Sequence, residues 1–197
     1  MSWNTVAFPS RKEDIEFLIV KLFHDALIRE GVREFAYRKN EENDFDFTLE
    51  FAHGSSCLEL RELFYKDIQE TDFNAPPYKS RRTAIKDFAY AMQIASAVYE
   101  KSNRYGQRGK VAVDLLTYVT HWRFSLSELV VRLVQHFLLS APPMFDHVFF
   151  IRPTDDNKGD PRVLFPSHDP LEGHAPEEFI GSEYLKLDPQ RWQVLSE

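Results

Sequence analysis

Two short stretches carry the residues best suited to chemistry: Asp44-Phe45-Asp46-Phe47-Thr48-Leu49-Glu50-Phe51-Ala52 and Cys57-Leu58-Glu59-Leu60-Arg61-Glu62-Leu63. In the first, Phe45, Phe47, Leu49 and Phe51 alternate with polar positions, the period of a half-buried strand. In the second, Leu58 and Leu60 alternate with Glu59 and Arg61. A tight turn at Gly54-Ser55 predicts a hairpin pairing Phe51 with Leu58 and Leu49 with Leu60. That register puts Asp46, Glu50, Glu59 and Arg61 on one face, with Glu50 directly opposite Glu59. Like charges so placed cost roughly 0.2–1 kcal/mol, and partial burial raises one carboxylate pKa. A bound divalent cation reverses the sign. Mg²⁺ takes one or two carboxylates and completes its shell with water and phosphate oxygens. The plainer alternative is a solvated hairpin face, neutralised in part by Arg61.

The elements around the hairpin must position it. Ser10-Arg11-Lys12-Glu13 reads as a capping box. Ile15, Leu18, Ile19, Leu22, Ala26 and Leu27 then mark one helical face, and Gly31 stands at a C-terminal cap. A short strand is expected from Val32 to Arg38. After the hairpin, Tyr65 to Lys79 reads as a loop able to shield or gate the charged face, with Asn74-Ala75-Pro76-Pro77 as a stop. A second helix is expected from Ser80 to Gly106, burying Ile85, Phe88, Ala89, Met92 and Tyr99. Lys110 to Thr120 is nearly all apolar, as for a strand covered on both faces. Ser125-Leu126-Ser127-Glu128 reads as a second capping box opening a third helix, which Pro142-Pro143 ends. His147 to Arg152 is a further strand, and Arg162 to Phe165 an edge strand. The order predicts a mixed α/β sheet flanked by helices. One domain over residues 1–166 is expected, with an irregular extension over 167–197 and a short helix near Pro189 to Val194.

Composition bounds the function. The chain has 197 residues, enough for one domain with a substantial core. It contains no apolar run of about 18 residues, so no membrane span is expected. The segment Met1-Ser2-Trp3-Asn4-Thr5 lacks signal-peptide character, and the single cysteine, Cys57, rules out an internal disulfide. A cytoplasmic location is the expectation. The net charge of −7 argues against a broad nucleic-acid footprint but leaves room for a local basic patch. No GxxxxGK[ST], GxGxxG or GxSxG pattern occurs, so ATPase, dinucleotide-binding and serine-hydrolase readings lack support. The seven histidines show no zinc-ligand spacing. Asp114 interrupts an apolar strand and needs a partner if buried.

At this point the chain resembles the PD-(D/E)xK nuclease superfamily, whose common core is helix, three strands, helix, strand. Its signature places an Asp in the second strand and Glu or Asp, any residue, Lys in the third. Asp46 and Glu59-Leu60-Arg61 occupy those places, and the resemblance covers roughly residues 10 to 120. It departs at two positions: Phe45 stands for the family proline and Arg61 for the lysine. The resemblance implies a restriction-endonuclease-like core and phosphodiester hydrolysis assisted by Mg²⁺ or Mn²⁺. It implies Asp46 and Glu59 as metal ligands, with Glu50 as a further or water-mediated one. Arg61 stays protonated, so it can hold a phosphate but cannot act as a base. Lys86 on the second helix is the candidate for the missing ammonium, and Glu13 or Glu16 the candidate to complete the acidic cluster. Lys79, Arg81 and Arg82 then form a basic helix start suited to a nucleic-acid backbone. The alternative is a non-catalytic protein-interaction module of a larger bacterial-type complex on the same fold, with a protein partner in place of nucleic acid. Oligomeric state is left open.

Overall fold

The computed structural model describes residues 7–32, 35–41, 44–52, 54–65, 82–105, 112–121, 124–155 and 158–187. The chain begins with helix α1 (Lys12–Arg29), followed by β1 (Ala36–Lys39), β2 (Phe47–Phe51) and β3 (Gly54–Glu62). Next come β4 (Arg82–Lys86), α2 (Asp87–Tyr105), β5 (Val113–Tyr118) and α3 (Glu128–Ser140). The chain then forms β6 (His147–Asp155), β7 (Lys158–Phe165), a 3-10 turn (Pro176–Phe179) and β8 (Glu183–Leu187).

Six strands form one mixed sheet in the order β1-β2-β3-β5-β6-β7. Strands β1, β2 and β3 are an antiparallel meander. The parallel pairs β3/β5 and β5/β6 each need a crossover, which α2 and α3 provide, and β7 returns antiparallel to β6. Helix α1 covers one face through Ile19, Val20, Leu22 and Phe23, packed on Phe47, Leu49, Leu58, Leu60, Leu116 and Ile151. Helices α2 and α3 cover the other, on Val113, Leu115, Val148 and Phe150. The central strands are therefore apolar on both sides, which is why residues 113–119 read as an almost unbroken apolar run.

The hairpin register differs from the one expected. Phe51 pairs with Gly54 and Phe47 with Leu58, so the strands join between Phe51 and Gly54. Gly54 has φ +150°, a conformation that favours glycine, and it opens β3 instead of sitting in the turn. Glu50 thus faces Ser55, not Glu59, and Asp46 comes beside Glu59, one place beyond the Phe47–Leu58 pair.

Three local expectations are also revised. Arg11, not Ser10, caps α1 and makes no side-chain cap bond, since a guanidinium cannot accept; it donates to Glu13 at 2.9 Å instead. The C-terminal end agrees: Gly31 at φ +85° closes the helix as Val32 N donates to Leu27 O at 3.0 Å. The second helix starts at Asp87, not near Ser80, so Arg82 and Lys86 lie in strand β4, paired with β8. Its phase shifts accordingly: Tyr90, Ala91, Ile94, Ala95 and Val98 are buried, while Met92 is exposed. The expected loop over 65–79 and the short helix over 189–194 lie almost wholly outside the described residues. The stretch after Phe165 is more ordered than expected, since β8 completes a two-stranded sheet and Leu171, Phe179 and Tyr184 pack on the α2–α3 core.

Ser127, not Ser125, caps α3: its Oγ accepts from Val130 N at 3.1 Å. The same hydroxyl donates to buried Asp87 Oδ1 at 2.7 Å, tying the starts of α2 and α3 together. Burial pushes the Asp87 carboxyl above its usual range, and the Ser127 bond pulls it partly back. Ser127→Ala removes a cap and leaves a buried carboxylate short of a donor. A loss of about 1–3 kcal/mol is expected by urea denaturation.

A carboxylate–lysine cleft as the candidate active site

Strand alternation puts Glu59 and Arg61 on the face of β3 opposite Leu58 and Leu60. This face meets α2. Helix α2 places Lys101 against Glu59, whose Oε2 accepts from the Lys101 ammonium. The same ammonium lies 4.0 Å from Asp46 Oδ2. Asp46 is held in turn by Leu60 N, which donates to its Oδ2 at 2.8 Å. Glu59 is 1% exposed, Lys101 15% and Asp46 32%, so a carboxylate pair with one ammonium between them runs from the core to the surface. Glu59 Oε1 is buried and receives no well-formed hydrogen bond, though Tyr105 is near enough to favour the charge slightly.

These groups open onto a cleft of about 340 Å³ between α1, the C-terminal end of β3 and α2. Glu16 of α1 lines it, buried and paired with Lys12 at 3.4 Å and Lys39 at 3.3 Å. Arg61, Glu62, Arg104 and Tyr118 complete the charged and polar lining. The Tyr118 hydroxyl is pushed well up, first by burial and then by the charges of Glu62, Glu16 and Asp46, so it stays protonated. Arg61 Nε is buried without a hydrogen-bond partner. The cleft thus sets Lys12, Arg61, Lys101 and Arg104 against the carboxylates of Glu16, Asp46 and Glu62, with Glu59 buried behind Lys101.

The sequence-derived candidates separate in space. Asp46, Glu59, Arg61 and Glu16 come together at the cleft. Glu50 lies elsewhere, on exposed surface, bonded to Arg38 at 3.1 Å. Glu13 is likewise exposed and bonded to Arg11. Lys86 is exposed in β4, opposite Glu183, and does not line the cleft. Lys79 and Arg81 lie outside the described residues, and Arg82 begins β4. The expected basic helix start is therefore replaced by a strand. Lys101 and Arg104 were not anticipated. Their signal is positional: Lys101 borders the buried stripe Ile94-Val98-Ser102 on α2, where a lone lysine can reach a buried acid. Asp114 has its partners, His147 Nδ1 at 2.8 Å and Ser56 Oγ at 3.4 Å.

Asp46 and Glu59 offer carboxylate oxygens, the ligand type that a hard divalent cation takes. Asp46 is the carboxylate that faces the open space, while Glu59 Oε1 is buried and its Oε2 is held by the Lys101 ammonium. No cluster of three or more His, Cys, Asp and Glu side chains arranged for a metal occurs among the described residues. Burial raises the Glu59 carboxyl, Lys101 lowers it, and the Asp46 charge raises it again, with a net upward shift. The resulting stability contribution is complete below the ordinary value of 4.5 and is lost as pH rises through the higher native value. Acidifying the metal-free protein from above the native Glu59 value toward 4.5 is expected to raise its urea midpoint more in the wild type than in Glu59→Gln. Over the same range Mn²⁺ affinity should fall, because the proton and the cation compete for Glu59.

No family model, curated protein or solved structure matches the chain. No helix among the described residues is long and apolar enough to cross a membrane.

Proposed function

We propose that the cleft is a metal-dependent phosphodiesterase centre of the PD-(D/E)xK kind, acting on nucleic acid. The observation that carries this reading is the pair Asp46 and Glu59 on neighbouring chain segments, bridged by Lys101 and flanked by Arg61. The sheet order supports it. A three-strand meander follows a helix, and a fourth strand joins in parallel across α2. Asp46 and Glu59 would hold Mg²⁺ or Mn²⁺. Such a cation polarises a phosphoryl oxygen and lowers the pKa of water, supplying a nucleophile at neutral pH.

The chain's own residues do the rest. Lys101 replaces the lysine absent from β3, reaching the acidic pair from α2 instead of from the position after Leu60. Its ammonium neutralises the pair and can offset charge growing on a phosphate. Arg61 offers fixed N–H donors to the phosphate oxygens and cannot be deprotonated. Arg104, also in the cleft lining, can add to the attraction for a phosphate.

The test is incubation with labelled single- and double-stranded DNA and RNA in Mn²⁺, Mg²⁺ or EDTA. Cleavage in Mn²⁺ or Mg²⁺ and none in EDTA is expected. No cleavage of any form, together with a stable complex with a protein partner that survives Asp46→Ala, would overturn the enzymatic reading in favour of an interaction module.

A further inference from the structure

A second hollow of about 160 Å³ adjoins the cleft and shares Arg61, Glu62 and Phe64 with it. Its lining is mixed: Leu63, Phe64 and Ala97 are apolar, and Glu62, Gln93 and Glu100 bring polar groups. A small recess that mixes apolar walls with polar groups suits a flat, polar-edged group of limited size. Arg61 stands on the wall between the two spaces with its Nε buried and unpartnered. A planar guanidinium placed there can hold a phosphate on one side and stack on an aromatic ring on the other.

Resting on the nuclease reading, we propose that this hollow receives one unstacked nucleobase beside the reacting phosphate. The base would lie against Phe64 and the Arg61 guanidinium, with Gln93, Ser96 and Glu100 meeting its polar edge. Gln93 is already steadied, since its Nε2 donates to Phe64 O at 2.6 Å. The space admits a single base and not a base pair. The substrate class that follows is nucleic acid with an unpaired nucleotide next to the scissile bond: a single strand, an overhang or a flap. An intact duplex would have to extrude a base first and meet the cost of unstacking.

Two measurements test this in the full chain. The first scans a single abasic site along a fluorescent single-stranded oligonucleotide and measures binding in Ca²⁺ and cleavage in Mn²⁺. Loss of one base next to the cleaved bond should weaken binding about tenfold, in line with base stacking on aromatic and guanidinium planes. The second fills the hollow with Ala97→Trp. Single-strand binding should fall by a similar factor while Mn²⁺ binding is unchanged. The abasic scan needs no variant, so a misfolded Ala97→Trp leaves the inference open to refutation. Equal cleavage of duplex and single strand, with no sensitive position in the scan, would overturn the base site and leave the metal-dependent nuclease standing. Absence of cleavage on every substrate would overturn both.

Discussion

Asp46→Ala is expected to abolish Mn²⁺ binding at the cleft and to reduce cleavage by roughly a hundredfold to a thousandfold, the scale of losing one group that stabilises transition-state charge. The protein should remain folded. Asp46 is one-third exposed, and the substitution removes one hydrogen bond from Leu60 N, a loss of about 1 kcal/mol. Unchanged circular dichroism with lost cleavage separates this outcome from unfolding. Wild-type cleavage in Asp46→Ala would place the chemistry elsewhere. Glu50→Ala is the matched control, since Glu50 pairs with Arg38 on exposed surface away from the cleft.

Lys101→Met should affect both stability and activity. It leaves the nearly fully buried Glu59 carboxylate without its ammonium, and stripping one partner from such a pair costs about 3–5 kcal/mol. The double variant Glu59→Gln, Lys101→Met removes the buried charge as well and should recover most of that loss in urea denaturation. Cleavage should not recover in either. The Mn²⁺ response distinguishes Lys101 from a metal ligand. Lys101 is the countercharge of the acidic pair, so its removal relieves repulsion of a second cation and should leave Mn²⁺ affinity equal or higher. Saturating Mn²⁺ should then close part of the stability gap by binding only the native state. A Lys101→Met protein that loses Mn²⁺ binding while folded would contradict the role assigned to the ammonium.

Much of the architecture was legible because it rests on periodicity. The stripe on α1, the alternation in β2 and β3 and the apolar run of β5 each bury a face against a partner, and that burial fixes their type. What escaped was set by single residues. The hairpin register turns on Gly54, which suits a two-residue turn in sequence but opens a strand in the fold. That four-residue difference brought Asp46, not Glu50, beside Glu59. Strand β4 was read as the first turn of a helix because its partner β8 lies nearly a hundred residues away, beyond any local pattern. Lys101 was missed for a related reason. It is 42 residues from Glu59, and only the packing of α2 on β3 brings the two together. On the proposed nuclease reading, Arg61 marks a relocated charge, with α2 supplying the ammonium through Lys101.

The central claim is that Asp46 and Glu59 hold one divalent cation beside Lys101. Anomalous diffraction from a crystal soaked in Mn²⁺ tests it most directly. The account predicts a single strong manganese peak between the Asp46 and Glu59 carboxylates, absent in Asp46→Ala. A soaked crystal with manganese bound elsewhere and none between these two side chains would contradict it.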